Sequence, residues 1–198
     1  MEPELELGFF DIIKDFNQMV IKHLIIGRRA VVLYGAPVLT ADYDFWIDAA
    51  DRDRVLSYFI EKGCTLSEPE DSVKPMIEAP CSKLQGIFDC KEFYQFFDSL
   101  ANPAACCGVS ARCAVQVYAG PRKIDLFFHK KIKNVEGDLI EFESCYQNAT
   151  TKEDPEQGLF FCIPSIDDLI KTKKIRKENI KDLQDIEYLL KTKDMSKS

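Results

Sequence analysis

The sequence predicts an α/β (α+β) fold: a short sheet flanked by helices, with a helical unit at the C-terminal end. Three observations carry that prediction. Apolar residues recur at helical spacing near the N-terminus, after residue 50 and beyond residue 165. Two-residue alternation appears in 42–48 and on both sides of Gly120-Pro121. Glycine and proline separate these runs where one element must give way to the next.

The elements follow in order. From about Gly8 to His23, Phe9, Ile12, Ile13, Phe16, Met19 and Val20 form one helical stripe. Leu24, Ile25 and Ile26 make a short buried strand, broken by Gly27. Ala30 to Tyr34 gives one or two helical turns, closed by Gly35 and Pro37. A strand covers Asp42–Asp48. A helix runs from about Asp51 to Lys62, with Val55, Leu56, Phe59 and Ile60 on one stripe and Gly63 as its stop. Residues 64–110 are the least patterned. Ser67–Asp71 reads as loop, and Asp89 caps a helix carrying Cys90, Phe93, Phe96, Phe97 and Leu100, halted by Asn102-Pro103. A hairpin pairs Ala114–Tyr118 with Lys123–Phe128. Residues 148–158 are polar and read as loop. Ser165, with Asp168 three residues on, opens a helix through Ile166, Leu169 and Ile170. A last helix carries Ile180, Leu183, Ile186 and Leu190 on one face, and Lys193–Ser198 reads as frayed.

Composition narrows the classes. The chain has 198 residues, 46% hydrophobic and 30% charged, enough to bury roughly 70% of its unfolded surface without covalent staples. A net charge of −7 makes the whole surface a poor sleeve for nucleic acid, though a local basic patch stays open. The N-terminus Met1-Glu2-Pro3-Glu4 is acidic where a secretory leader is basic, and no apolar run is long enough to span a membrane. The expectation is a cytoplasmic protein with its eight cysteines reduced. Cys81, Cys90, Cys106, Cys107 and Cys113 match no common zinc spacing and read as small buried hydrophobes.

The chemistry concentrates in Thr40-Ala41-Asp42-Tyr43-Asp44-Phe45-Trp46-Ile47. Residues two apart in a strand share a face, so Asp42 and Asp44 project together. Like charges so placed call for a cation, and carboxylate oxygens are the ligands of hard divalent ions. The alternative is a strand with one solvated face. A third acid, Asp125, sits on the hairpin's return strand, opposite in parity to Ile124, Leu126 and Phe128. If the two strands are neighbours, three carboxylates converge as in a two-metal site for displacement at phosphorus. Trp46 shares the acids' parity and either walls the site or packs the core. His129 follows the Asp125 strand and reads as structural. Lys171, Lys173, Lys174, Arg176, Lys177 and Lys181 read as a solvated face or, in part, a phosphate contact.

The order Ile26-Gly27-Arg28-Arg29, then Asp42-Tyr43-Asp44, then Asp125 resembles the signature of the DNA polymerase beta-like nucleotidyltransferase superfamily. Leu169-Ile170 and Lys173, followed by Lys181-Asp182-Leu183 and Asp185, resemble the terminal helices of its small members, some of which belong to toxin–antitoxin pairs. The resemblance spans about 9 to 190, with 64–110 as a variable insertion. It implies a nucleotidyltransferase fold with a short mixed β-sheet, a core over 1–160 and a C-terminal helical unit over 161–192 packed on it.

The resemblance also implies an activity: transfer of a nucleoside monophosphate from an NTP to an acceptor hydroxyl by a two-metal mechanism with Mg2+ or Mn2+. Asp42, Asp44 and Asp125 would be both metal ligands and catalytic groups, with Asp125 activating the acceptor. Gly27 would admit the triphosphate, although a plain strand-to-helix turn explains it as well, and Lys173 would neutralise phosphate charge. The family has Gly or Ser where this chain has Arg28, which either obstructs the triphosphate or contacts it. The acceptor stays open among a protein, an RNA end and a small molecule, with a protein partner as a further expectation. The alternative reading is an inactive binding module of this fold or a toxin–antitoxin component.

Overall fold

Alternation decides the architecture. Tyr43–Ile47 and Arg122–Phe127 each place large apolar residues on one side, and that side packs under helices while the other carries the acids. The computed structural model describes residues 7–67, 114–120, 122–175 and 179–195. Of the expected loop over 67–71, Ser67 is in a strand, and the rest, the helix after Asp89 and the five central cysteines lie outside the described residues.

Helix α1 (Phe9–Gln18) buries Phe9, Ile12, Ile13 and Phe16. The Gly8 N–H ahead of it donates to Asp11 Oδ2 at 3.0 Å. Strand β1 (His23–Ile25) leads into α2 (Gly27–Leu33), then β2 (Tyr43–Ile47). A single 3-10 turn precedes α3 (Arg52–Glu61). Strands β3 (Thr65–Ser67), β4 (Val115–Ala119) and β5 (Arg122–Phe127) complete a sheet of order β1-β2-β5-β4-β3. The β2/β5 pair is parallel and its neighbours are antiparallel, so the sheet is mixed.

Two hairpins stand apart from this sheet. Strands β6 (Lys131–Lys133) and β7 (Leu139–Glu141) form one, followed by α4 (Phe142–Gln147). Strands β8 (Thr150–Asp154) and β9 (Leu159–Ile163) form the other. Here the expected loop over 148–158 is corrected. The three central residues of β8 are exposed, so the strand keeps its polar residues and shows no alternating sequence signal.

The chain ends in α5 (Ile166–Lys173) and α6 (Ile180–Met195). Ser165 caps α5 as expected, its Oγ accepting from the Asp168 N–H at 3.2 Å. Helix α6 departs from expectation twice. It runs on to Met195 where fraying was expected from Lys193, and its inward face is not the apolar stripe. Ile180, Leu183 and Leu190 are exposed, whereas Asp182, Asp185 and Leu189 are buried. A helix buries aspartates only when cations meet them there, and two do. Among the described residues no helix is long and apolar enough to cross a membrane.

The larger core gathers Phe16, Phe45, Ile47, Phe59, Ile124, Leu126 and Phe161. A smaller cluster on the acids' side of the sheet joins Leu24, Trp46, Ile140 and Phe142. Trp46 is fully buried, and its indole N–H donates to the His129 carbonyl at 2.7 Å. The core reading of Trp46 therefore holds.

Candidate active site

Register brings two acids face to face. In the parallel β2/β5 pair, Asp44 lies opposite Asp125, flanked by Tyr43 opposite Ile124 and Phe45 opposite Leu126. Those flanking pairs enter the main core, so alternation turns both carboxylates to the other side. The row continues onto β4, where Gln116 pairs with Asp125 and Tyr118 with Lys123. The Tyr118 hydroxyl donates to Gln116 Oε1 at 2.7 Å. The acids thus begin a polar surface, while Trp46 and Phe127 close its other end with apolar packing.

The pair is poorly compensated. Asp125 is 7% exposed. Its Oδ2 accepts from Lys123 Nζ at 3.0 Å, and its Oδ1 is buried with no hydrogen-bond partner among the described residues. Burial raises the Asp125 carboxyl, against the hydrogen bond and charge of Lys123. Asp44 is pushed up to about 7, first by burial, then by the charges of Asp125 and Asp42, against Lys173 and Lys123. A carboxylate displaced this far, facing another, marks a place where a positive ligand is favoured.

Gly27 abuts Asp44. The Ile26 N–H donates to the Asp44 carbonyl at 3.0 Å, which seats the first turn of α2 against β2. Gly27 has φ +63°, and a Cβ there would lie 2.1 Å from Asp44 Oδ2. The glycine is needed for both reasons at once: a left-handed backbone and a carboxylate in van der Waals contact.

Asp42 sits just before β2 and is exposed, so ladder hydrogen bonds do not fix it. Its N–H donates to Thr40 Oγ1 at 3.3 Å, and the Thr40 carbonyl accepts from Arg29 Nη2 at 3.0 Å. The Arg29 guanidinium lies over the rings of Phe9 and Tyr43, 4.9 and 5.1 Å from their centroids. Arg29 therefore braces the segment that carries the first acid.

Arg28 and Lys173 both turn to α6. Lys173 Nζ donates to Asp185 Oδ2 at 2.7 Å and Asp182 Oδ1 at 3.2 Å. Arg28 ion-pairs with Asp185 at 3.1 Å. Of the other basic residues, Lys171 pairs with Asp168 and Lys174 with Glu136, while Arg176 and Lys177 lie outside the described residues.

Among the described residues no group of three His, Cys, Asp or Glu side chains is gathered to hold a metal ion. What exists is a facing pair, Asp44 and Asp125, with Asp42 near enough to raise both. Hard oxygen donors with one orphaned buried Oδ1 fit a divalent cation. Two contributors escaped the sequence reading. Lys123 shares strand parity with Asp125, a signal that would have sufficed to find it. Arg29 had no signal, because its partners are aromatic rings and a carbonyl distant in the chain.

No family model matches the chain, and no curated protein matches it in sequence. Solved structures do resemble it. One is the crystal structure of the lincosamide antibiotic adenylyltransferase LnuA bound to lincomycin, with a TM-score of 0.55 and 14% sequence identity over 97% of this chain and 98% of that one. At that identity the likeness speaks for the fold. The chain has a mixed α/β fold of the nucleotidyltransferase type.

Proposed function

We propose that the chain is a nucleotidyltransferase that moves a nucleoside monophosphate from an NTP to an acceptor hydroxyl and releases pyrophosphate. One observation carries the reading: two carboxylates, the buried Asp125 and the half-buried Asp44, directly opposed on adjacent parallel strands, with Asp44 raised to about 7. Asp42, Asp44 and Asp125 would hold Mg2+ or Mn2+. Such ions neutralise phosphate oxygens and lower the cost of charge at the reacting phosphorus.

The chain's own residues supply the rest. Asp125 takes the proton of the acceptor hydroxyl, whose oxygen bonds to the α-phosphorus as the bond to the bridging oxygen of pyrophosphate breaks. Gly27 keeps the first turn of α2 close to Asp44. Lys173 and Arg28 offset negative charge beside it. In this reading residues 1–160 form the catalytic core and 161–192 a helical unit that completes the nucleotide site. Arg28 spends its hydrogen bonds on α6, which supports turnover over an obstructed site.

The test is incubation with Mg2+, each α-labelled NTP, and a panel of acceptors. Hydroxyl-bearing small molecules come first, because the name of the structural neighbour is that of an antibiotic adenylyltransferase; RNA ends and cell-extract proteins follow. Label transfer with pyrophosphate release, lost in Asp44→Ala, is the expected result. Absence of transfer, or transfer unchanged in that variant, removes the reading. NTP binding without pyrophosphate release would select the inactive-module alternative instead.

A further inference from the structure

A buried cluster of four charges joins three helices beside the acid pair. Lys173, the last residue of α5, donates to Asp182 and Asp185 on α6. Arg28, the second residue of α2, grips the same Asp185 with two nitrogens: Nε lies 3.3 Å from Oδ2 and Nη2 lies 3.1 Å from Oδ1. Nη2 also donates to the Lys181 carbonyl at 3.1 Å. Side-chain exposure is 6% for Lys173, 3% for Asp185 and 22% for Arg28. Two cations meet two carboxylates, so the cluster is neutral.

The cluster reaches the acids by two routes. Arg28 follows Gly27, whose backbone touches the Asp44 carboxylate. Lys173 is close enough for its charge to act on Asp44. Without Arg28, a single ammonium would face both Asp182 and Asp185, leaving the buried cluster negative and hostile to an incoming triphosphate.

We propose that Asp185 is a positioning residue for the nucleotide site: clasped by Arg28, it fixes the Lys173 ammonium beside the acids and ties α6 to the first turn of α2. This rests on the reading of the acids as a cation–triphosphate site. It assigns Arg28 a task that a smaller residue would not perform. Arg28→Ser opens space yet weakens nucleotide binding.

The experiment uses the full chain and, as probe, Mn2+ with each of the four NTPs, followed by calorimetry. Urea unfolding runs in parallel. The variants are Arg28→Met, Asp185→Asn, the double variant, and the exchange Arg28→Asp with Asp185→Arg. Each single change is expected to weaken Mn2+–NTP binding by about tenfold, with the double variant no weaker than the worse single one. The exchange recovers most of the loss. Should Asp185→Asn fail to fold, the partly exposed Arg28→Met carries the same comparison. Variants that lose stability but bind Mn2+–NTP as the wild type does reduce the cluster to a helix tie and overturn the inference alone. A wild type that binds no nucleotide overturns the reading of the acids and this inference with it.

Discussion

Two charged clusters lie side by side in this molecule and are built on opposite terms. Around Asp185 two cations answer two carboxylates, and every named hydrogen bond links α6 to α2 or α5. Around Asp125 two carboxylates face each other across adjacent strands, Lys123 bonds to one of them, and a buried oxygen goes without a partner among the described residues. A balanced buried cluster holds parts together; an unbalanced one stores unfavourable charge until something positive arrives. Under the proposed function, the difference separates the residues that position from those that bind and react.

The comparison breaks first at activity. Asp125→Asn keeps the shape of the side chain but removes the proposed proton acceptor. Transfer should fall by roughly 10²–10⁴-fold, the span for a positioned proton-transfer group, as read by pyrophosphate release. No loss would detach Asp125 from the chemistry.

Stability distinguishes the clusters next. Lys173→Met leaves two buried carboxylates with only Arg28, and should cost about 3–5 kcal/mol in urea unfolding. Asp44→Asn should act in the other direction. The folded Asp44 carboxyl is raised from 3.8 to about 7. Between those values the folded state keeps a proton that the unfolded state has shed, so stability falls as pH rises through the window. The cation-free wild type should therefore lose melting temperature from about pH 4 to about pH 7 relative to Asp44→Asn. Parallel curves for the two proteins would mean that Asp44 is an ordinary carboxylate. By the same sign, Mn2+ should stabilise the wild type more at about pH 8 than at about pH 5, since the ion replaces no proton at the higher pH.

The smallest effect sharpens the picture at the rim. Arg29→Lys retains charge but loses the planar fork between Phe9 and Tyr43. About 1 kcal/mol of stability should go, and Mn2+ affinity should drop because Asp42 loses the brace at Thr40. An unchanged affinity would show that Asp42 needs no support.

Much of this was legible in advance, for physical reasons. Most of the α1 and α3 stripes and the Ser165 cap are written within a few residues of sequence and recur in the structure, although Val20, beyond the end of α1, and Ile60 are exposed. Alternation alone put Asp44 and Asp125 on the faces opposite Phe45 and Leu126. The exposed strand β8 was missed because a strand with mostly exposed residues has no alternation to display. Helix α6 misled more sharply. Its apolar stripe pointed outward, because two cations elsewhere in the chain made its acidic side the one to bury.

By itself, the sequence determined which residues share a face of an element, since that depends on periods of two to four residues. The tertiary structure alone decided that β5 lies parallel to β2 with Asp125 opposite Asp44, and that Arg28 meets a carboxylate 157 positions away. Such pairings are set by how whole elements pack, and no local pattern of side chains encodes them.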